Sequence, residues 1–91
     1  MIREDIEIRQ TKDSITIKSY SNFMTFDRKG TKIYFSAKLS TNMLDDIESS
    51  KIVVVKECNF DKGLITLSPL SFFKIESFTD VLISLFEKYN L

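Results

Sequence analysis

Ninety-one residues leave room for one domain with one core and no deep internal cleft. A composition of 43% hydrophobic and 29% charged residues, with two glycines and one proline, belongs to a folded chain and excludes a disordered one. The formal net charge is zero, which excludes the uniformly basic surface of a general nucleic-acid binder.

The charge is nevertheless uneven. Residues 1–38 hold eight Lys/Arg against five Asp/Glu, and residues 39–91 hold five against eight. That split gives the two halves a reason to attract, within one chain or between subunits. A single cysteine, Cys58, rules out an internal disulfide, so packing must supply the stability. No stretch approaches the roughly 18 apolar residues of a membrane span. The charged start, MIREDIEIRQ, lacks the apolar core of a signal peptide. These features predict a cytoplasmic protein, of a host cell or of a cell under infection, without membrane contact.

Residues 5–10 alternate, with Ile6 and Ile8 on one face and Glu7 and Arg9 on the other. Thr11-Lys12-Asp13 makes a turn, and Ile15 and Ile17 alternate with Thr16 and Lys18. This predicts a hairpin with one wet face. A second hairpin follows. Phe23-Met24-Thr25-Phe26 leads into Asp27-Arg28-Lys29-Gly30, and residues 31–35 lead out. An early aspartate and a closing glycine suit a type I turn ended by a left-handed residue.

Met43, Leu44 and Ile47 then recur at helical spacing, with Leu39 joining them and Ser40, Thr41 or Asn42 available as a cap. This predicts a short helix near residues 40–48. The unbroken β-branched run Ile52-Val53-Val54-Val55 within residues 51–57 predicts a strand buried on both faces. After the turn at residues 59–63, Leu64, Ile65 and Leu67 return as its partner and stop near Pro69. Last, Phe78, Val81, Leu82, Leu85, Phe86 and Tyr89 share one helical face, with Ser77 and Asp80 resembling a capping box.

The expected fold is therefore a single α+β domain over residues 1–91. It has about six short strands in antiparallel β-hairpins, a short central helix and a C-terminal amphipathic helix packed on the sheet. The expected core is Ile6, Ile8, Ile15, Ile17, Phe26, Ile33, Phe35, Leu44, Ile52, Val54, Ile65, Leu67, Val81, Leu82, Leu85 and Phe86.

The chain has no histidine, so the usual general base and the commonest metal ligand are missing. Two glycines, at positions 30 and 63, cannot build a phosphate-binding loop. Asp45, Asp46 and Glu48 form the densest acidic cluster, spaced as a solvated helix face rather than a cation site. Cys58 beside Glu57 lacks the electropositive company of a reactive thiol. A non-catalytic binding protein without metal or cofactor is expected.

Two surfaces are candidates for that binding. Arg28, Lys29, Lys32 and Lys38 stand against the single acid Asp27, with Tyr34 and Phe35 interleaved. A basic hairpin tip with nearby aromatics can track phosphates. The other candidate is Leu70, Phe72, Phe73 and Ile75. Adjacent phenylalanines in an extended segment point to opposite faces, and a surplus aromatic makes a contact patch for a second copy or for another protein.

Lys29-Gly30-Thr31-Lys32-Ile33-Tyr34-Phe35-Ser36, the helix with Met43-Leu44, Lys51-Ile52-Val53-Val54-Val55 and Leu64-Ile65-Thr66-Leu67-Ser68-Pro69 together resemble the strand–helix–strand–strand unit of the AbrB/SpoVT-type swapped-hairpin regulators and related small phage proteins. The resemblance spans about residues 29–69, with Ser36 where that family usually carries proline. It implies a homodimer of interleaved chains, a DNA-binding role in transcription regulation, and DNA-facing positions at Arg28, Lys29 and Lys32. The alternative is an inhibitor or adaptor of phage or mobile-element type that binds a host protein through the aromatic patch.

Overall fold

The computed structural model describes residues 4–36 and 39–91. Six strands and two helices follow in the order β1 (Glu7–Gln10), β2 (Ser14–Ser19), β3 (Asn22–Asp27), β4 (Lys32–Ser36), α1 (Thr41–Ser49), β5 (Val53–Asn59), β6 (Leu64–Pro69) and α2 (Ile75–Lys88). The strands form one fully antiparallel sheet in the order β1-β2-β3-β4-β6-β5. This is the α+β architecture that the hairpin and helix signals predict.

Alternation along each strand separates two faces of the sheet. Ile15, Ile17, Met24, Phe26, Ile33, Ile65, Leu67 and Val53 share one face and are buried. Both helices cover that face. α1 packs on β5, α2 packs on β2, and the helices touch each other. Phe78 of α2 meets Phe26 edge-on at 5.2 Å between ring centres, an arrangement worth about 0.5–1.5 kcal/mol beyond area burial. Among the described residues, no helix lies on the opposite face.

Loop chemistry explains the hairpins. Thr11 N–H donates to Ser14 O at 2.9 Å and closes β1 onto β2. The Asp27 carboxylate accepts from Thr31 N–H at 2.8 Å, from Lys32 N–H at 3.1 Å and from the Thr31 hydroxyl. Gly30 and Gly63 end their turns at φ 74° and 62°, the left-handed residues those turns require. The β2–β3 turn has only Tyr20 and Ser21, and Tyr20 itself takes φ 55°, with no asparagine or glycine to announce it.

Several expectations need correction. β5 is an edge strand, not a strand buried on both faces. Val53 is buried, Val54 is 39% exposed, and alternation breaks at a bulge between Val55 and Glu57. A β-branched run reports strand propensity, but burial on both faces needs a layer on each side, and only one exists here. Ile8 points to the helix side yet stays 38% exposed, because β1 is the other edge and α2 lies over β2. Met43 and Ile47, rather than Leu44, are the buried residues of α1. Phe35, Leu44, Ile52 and Val81 are half-buried, while Met24, Val53, Phe78 and Ile83 join the core.

Ser40 is the cap of α1, accepting from Met43 N–H at 3.4 Å. α2 begins three residues earlier than its capping box implies. Lys74 is its N-cap, with no side-chain cap hydrogen bond, and Ser77 and Asp80 lie inside the helix. The turn at residues 70–73, closed by Phe73 N–H to Leu70 O at 3.0 Å, sets Ile75 half into the core, and Glu76 complements the helix dipole.

Candidate functional site

The two surfaces that the sequence keeps apart meet at one end of the sheet. The β1–β2 loop, the β3–β4 loop and the β6–α2 loop all emerge there. Gly30 lies directly under the Phe73 ring, so close that a Cβ at position 30 would sit 2.5 Å from Phe73 Cε2. Leu67 N–H donates to Thr31 O at 2.8 Å beside this contact.

The adjacent phenylalanines do face opposite ways. Phe73 is half-buried and packs on Phe78 with ring centres 5.6 Å apart. Phe72 is 83% exposed, and Leu70 next to it is exposed as well. Ile75 is half-buried against the core, so it supports the loop from beneath. Leu70 N–H donates to Ile52 O at 2.9 Å, which places the loop beside the start of β5.

The basic residues of the β3–β4 loop divide into two kinds. Arg28 is half-buried and spent on structure: its guanidinium donates to Thr11 O at 2.8 and 3.2 Å and to Gln10 Oε1 at 3.3 Å. It ties one hairpin to the other. Lys29 and Lys32 are exposed. Lys38 lies outside the described residues. Lys12 shares a surface hollow with Asp13, Asp27, Arg28 and Lys29. Lys51 and Lys74 flank Ile52 and Ile75 at the same end, and both are exposed.

The nearest acids are Asp13, Asp27 and Glu76, with Glu48 and Asp80 about one helical turn further back. Asp27 is already committed. Burial pushes its carboxyl up, but the hydrogen bonds from the Thr31 hydroxyl and from the Thr31 and Lys32 backbone outweigh this and hold it below its ordinary value. It stays an anion that braces the loop. The surface thus joins the exposed Phe72 ring of the β6–α2 loop to the lysines of the β3–β4 loop, whose own acid, Asp27, is internally satisfied.

The other singled-out groups are structural. Asp46 accepts from Lys88 Nζ at 2.8 Å and from the Tyr89 hydroxyl at 2.6 Å, pinning α1 to α2. Those two bonds hold the Asp46 carboxyl below its ordinary value. Cys58 is half-buried in β5, and burial pushes its thiol up. Among the described residues, no three of His, Cys, Asp and Glu come together to hold a metal ion, and no helix is long and apolar enough to cross a membrane.

Fold and surface together define a two-layer α+β domain with one sheet face open and one aromatic, lysine-rich end. Residues 29–69 contain β4, α1, β5 and β6, paired in the order β4-β6-β5. Comparison with protein-family models, curated proteins and solved structures gives no match.

Proposed function

We propose that this chain is a small non-catalytic binding protein whose ligand is nucleic acid, taken up at the aromatic, lysine-rich end of the sheet. One observation carries the reading: the packing of Phe73 on Gly30 joins the loop of exposed Phe72 to the loop of exposed Lys29. An exposed ring and exposed cations on joined loops offer a base a stacking surface and a phosphate a counter-charge. Lys29 and Lys32 are the contacts, Lys12 and Lys74 lie beside them, and Arg28 positions the loop rather than touching the ligand. A DNA-binding regulator of phage type fits this chemistry.

The test is salt-dependent retention of labelled DNA by the purified chain. Affinity should fall steeply with salt, and Lys29→Glu with Lys32→Glu should weaken binding and flatten the salt slope. Absence of any salt-sensitive binding to duplex or single strands at low salt would sink the reading.

A second reading has its own observation. Leu70 and Phe72 protrude next to β5, an edge strand with open backbone groups and exposed Val54. Such a surface suits a protein partner, a second copy in a homodimer included. Phe72→Asp should then lower the assembly's mass in light scattering while the fold survives, and an unchanged mass counts against it.

A further inference from the structure

The face of the sheet without helices carries an arrangement that no loop supplies. On the four inner strands β2, β3, β4 and β6 it presents Lys18, Phe23, Tyr34 and Lys32 among small hydroxyl residues and Leu64. Phe23 stands directly opposite Lys18, and Tyr34 directly opposite Thr25. Phe23 and Tyr34 are therefore diagonal neighbours on adjacent strands, with side chains roughly 7–8 Å apart. Lys32 lies two residues from Tyr34 on the same face of β4. Lys18, Phe23 and Tyr34 lie on successive strands, and Lys32 shares β4 with Tyr34.

Both signs of charge lie on this face, and two of its carboxylates are engaged: Glu7, opposite Lys18 on β1, pairs with Arg9 at 3.0 Å. Among the described residues of these four strands, the one carboxylate is Asp27, and its oxygens are engaged by Thr31 and Lys32 N–H. Glu57 lies beyond Thr66, on edge strand β5. The Thr16 and Thr25 hydroxyls bond each other at 2.8 Å, which leaves a low polar floor beside the rings. Tyr34 is 50% exposed on β4, inside the sheet rather than at its edge. Lys32 joins this face to the lysine-rich end.

We infer that the open sheet face is a stacking platform for single-stranded nucleic acid, with bases on Tyr34 and Phe23 and the flanking phosphates on Lys18 and Lys32. The inference rests on the nucleic-acid reading above and adds which form of nucleic acid is bound. A face about four strands wide admits unstacked bases against exposed Tyr34 and half-buried Phe23. A duplex hides the π-faces of its bases and offers phosphates alone.

The experiment is fluorescence anisotropy of the full chain at low salt with two probes, a labelled oligothymidylate and a labelled duplex of the same length. The oligothymidylate should bind more tightly. Tyr34→Ala should weaken it about ten-fold and leave the duplex unchanged. Tyr34→Phe should restore it, because a ring stacks without its hydroxyl. Lys18→Glu should weaken single-strand binding and flatten its salt slope. Circular dichroism of each variant checks the fold, and half-exposed Tyr34 tolerates truncation. If Tyr34→Ala binds the oligothymidylate as tightly as the parent while Lys29→Glu still weakens it, the platform is refuted and the end-of-sheet reading survives. If neither probe binds, both fall.

Discussion

Replacing Gly30 by alanine should cost about 2–5 kcal/mol, and the loss should depend on Phe73. Two penalties combine. The residue sits at φ 74°, where a Cβ costs about 1–2 kcal/mol against the backbone. The new methyl would also stand 2.5 Å from Phe73 Cε2 and 2.6 Å from Cζ, well inside contact distance. The ring cannot simply retreat, because Phe78 lies 5.6 Å behind it and is itself fully buried against Phe26. Overpacking of this kind costs about 1–3 kcal/mol. In a domain of this size, 1 kcal/mol moves Tm by about 4–8 °C, so a fall of more than about 10 °C is expected. The assay is a double-mutant cycle by urea denaturation: Gly30→Ala, Phe73→Leu and both together. In the Phe73→Leu background, Gly30→Ala should cost only its backbone share. An equal cost in both backgrounds would refute the contact, and with it the physical join between the basic loop and the aromatic loop.

Arg28→Ala should destabilise the fold by about 1 kcal/mol, since it removes the bonds to Thr11 O and Gln10, whereas Lys29→Glu should leave the melting temperature unchanged and weaken nucleic-acid binding. Thermal melts of both variants beside a binding assay separate the roles, and a reversed pattern would overturn them. Val53→Ala should cost about 2 kcal/mol and Val54→Lys less than about 0.5 kcal/mol, because only Val53 is buried; equal losses in urea melts would contradict the edge position of β5. Asp27 supplies a pH dependence. Its carboxyl is held below the ordinary value of 3.8 in the fold, so the unfolded chain binds that proton more readily. The stability it contributes is complete above the ordinary value and is lost as pH falls through the lower folded value. Urea midpoints across acid pH should therefore fall less steeply for Asp27→Asn than for the parent, and parallel curves would exclude the role.

Much of the architecture is written in local pattern. The alternation of Ile15 and Ile17, the turn chemistry of Asp27 and Gly30, and the spacing of Phe78, Leu82, Leu85 and Phe86 each declare an element, because each depends on residues a few positions apart. The β2–β3 turn is silent by the same logic, since Tyr20 adopts a left-handed conformation that its type does not advertise. The candidate surfaces were half legible. Charge and aromatic surplus single out residues 28–32 and 70–75, but composition cannot tell a lysine that reaches solvent from an arginine spent on Thr11 O.

Sequence by itself determined the class of fold, the strands and helices, the want of histidine chemistry, and the opposite facing of Phe72 and Phe73. Tertiary structure alone decided strand order. From that order follow the edge position of β5, the open face that displays Tyr34, and the meeting of Gly30 with Phe73, which are separated by more than forty residues. The physical reason is range. Periodicity and turn propensity act over a few bonds, whereas which strand lies beside which, and which face the helices cover, is set by long-range packing that no local pattern records.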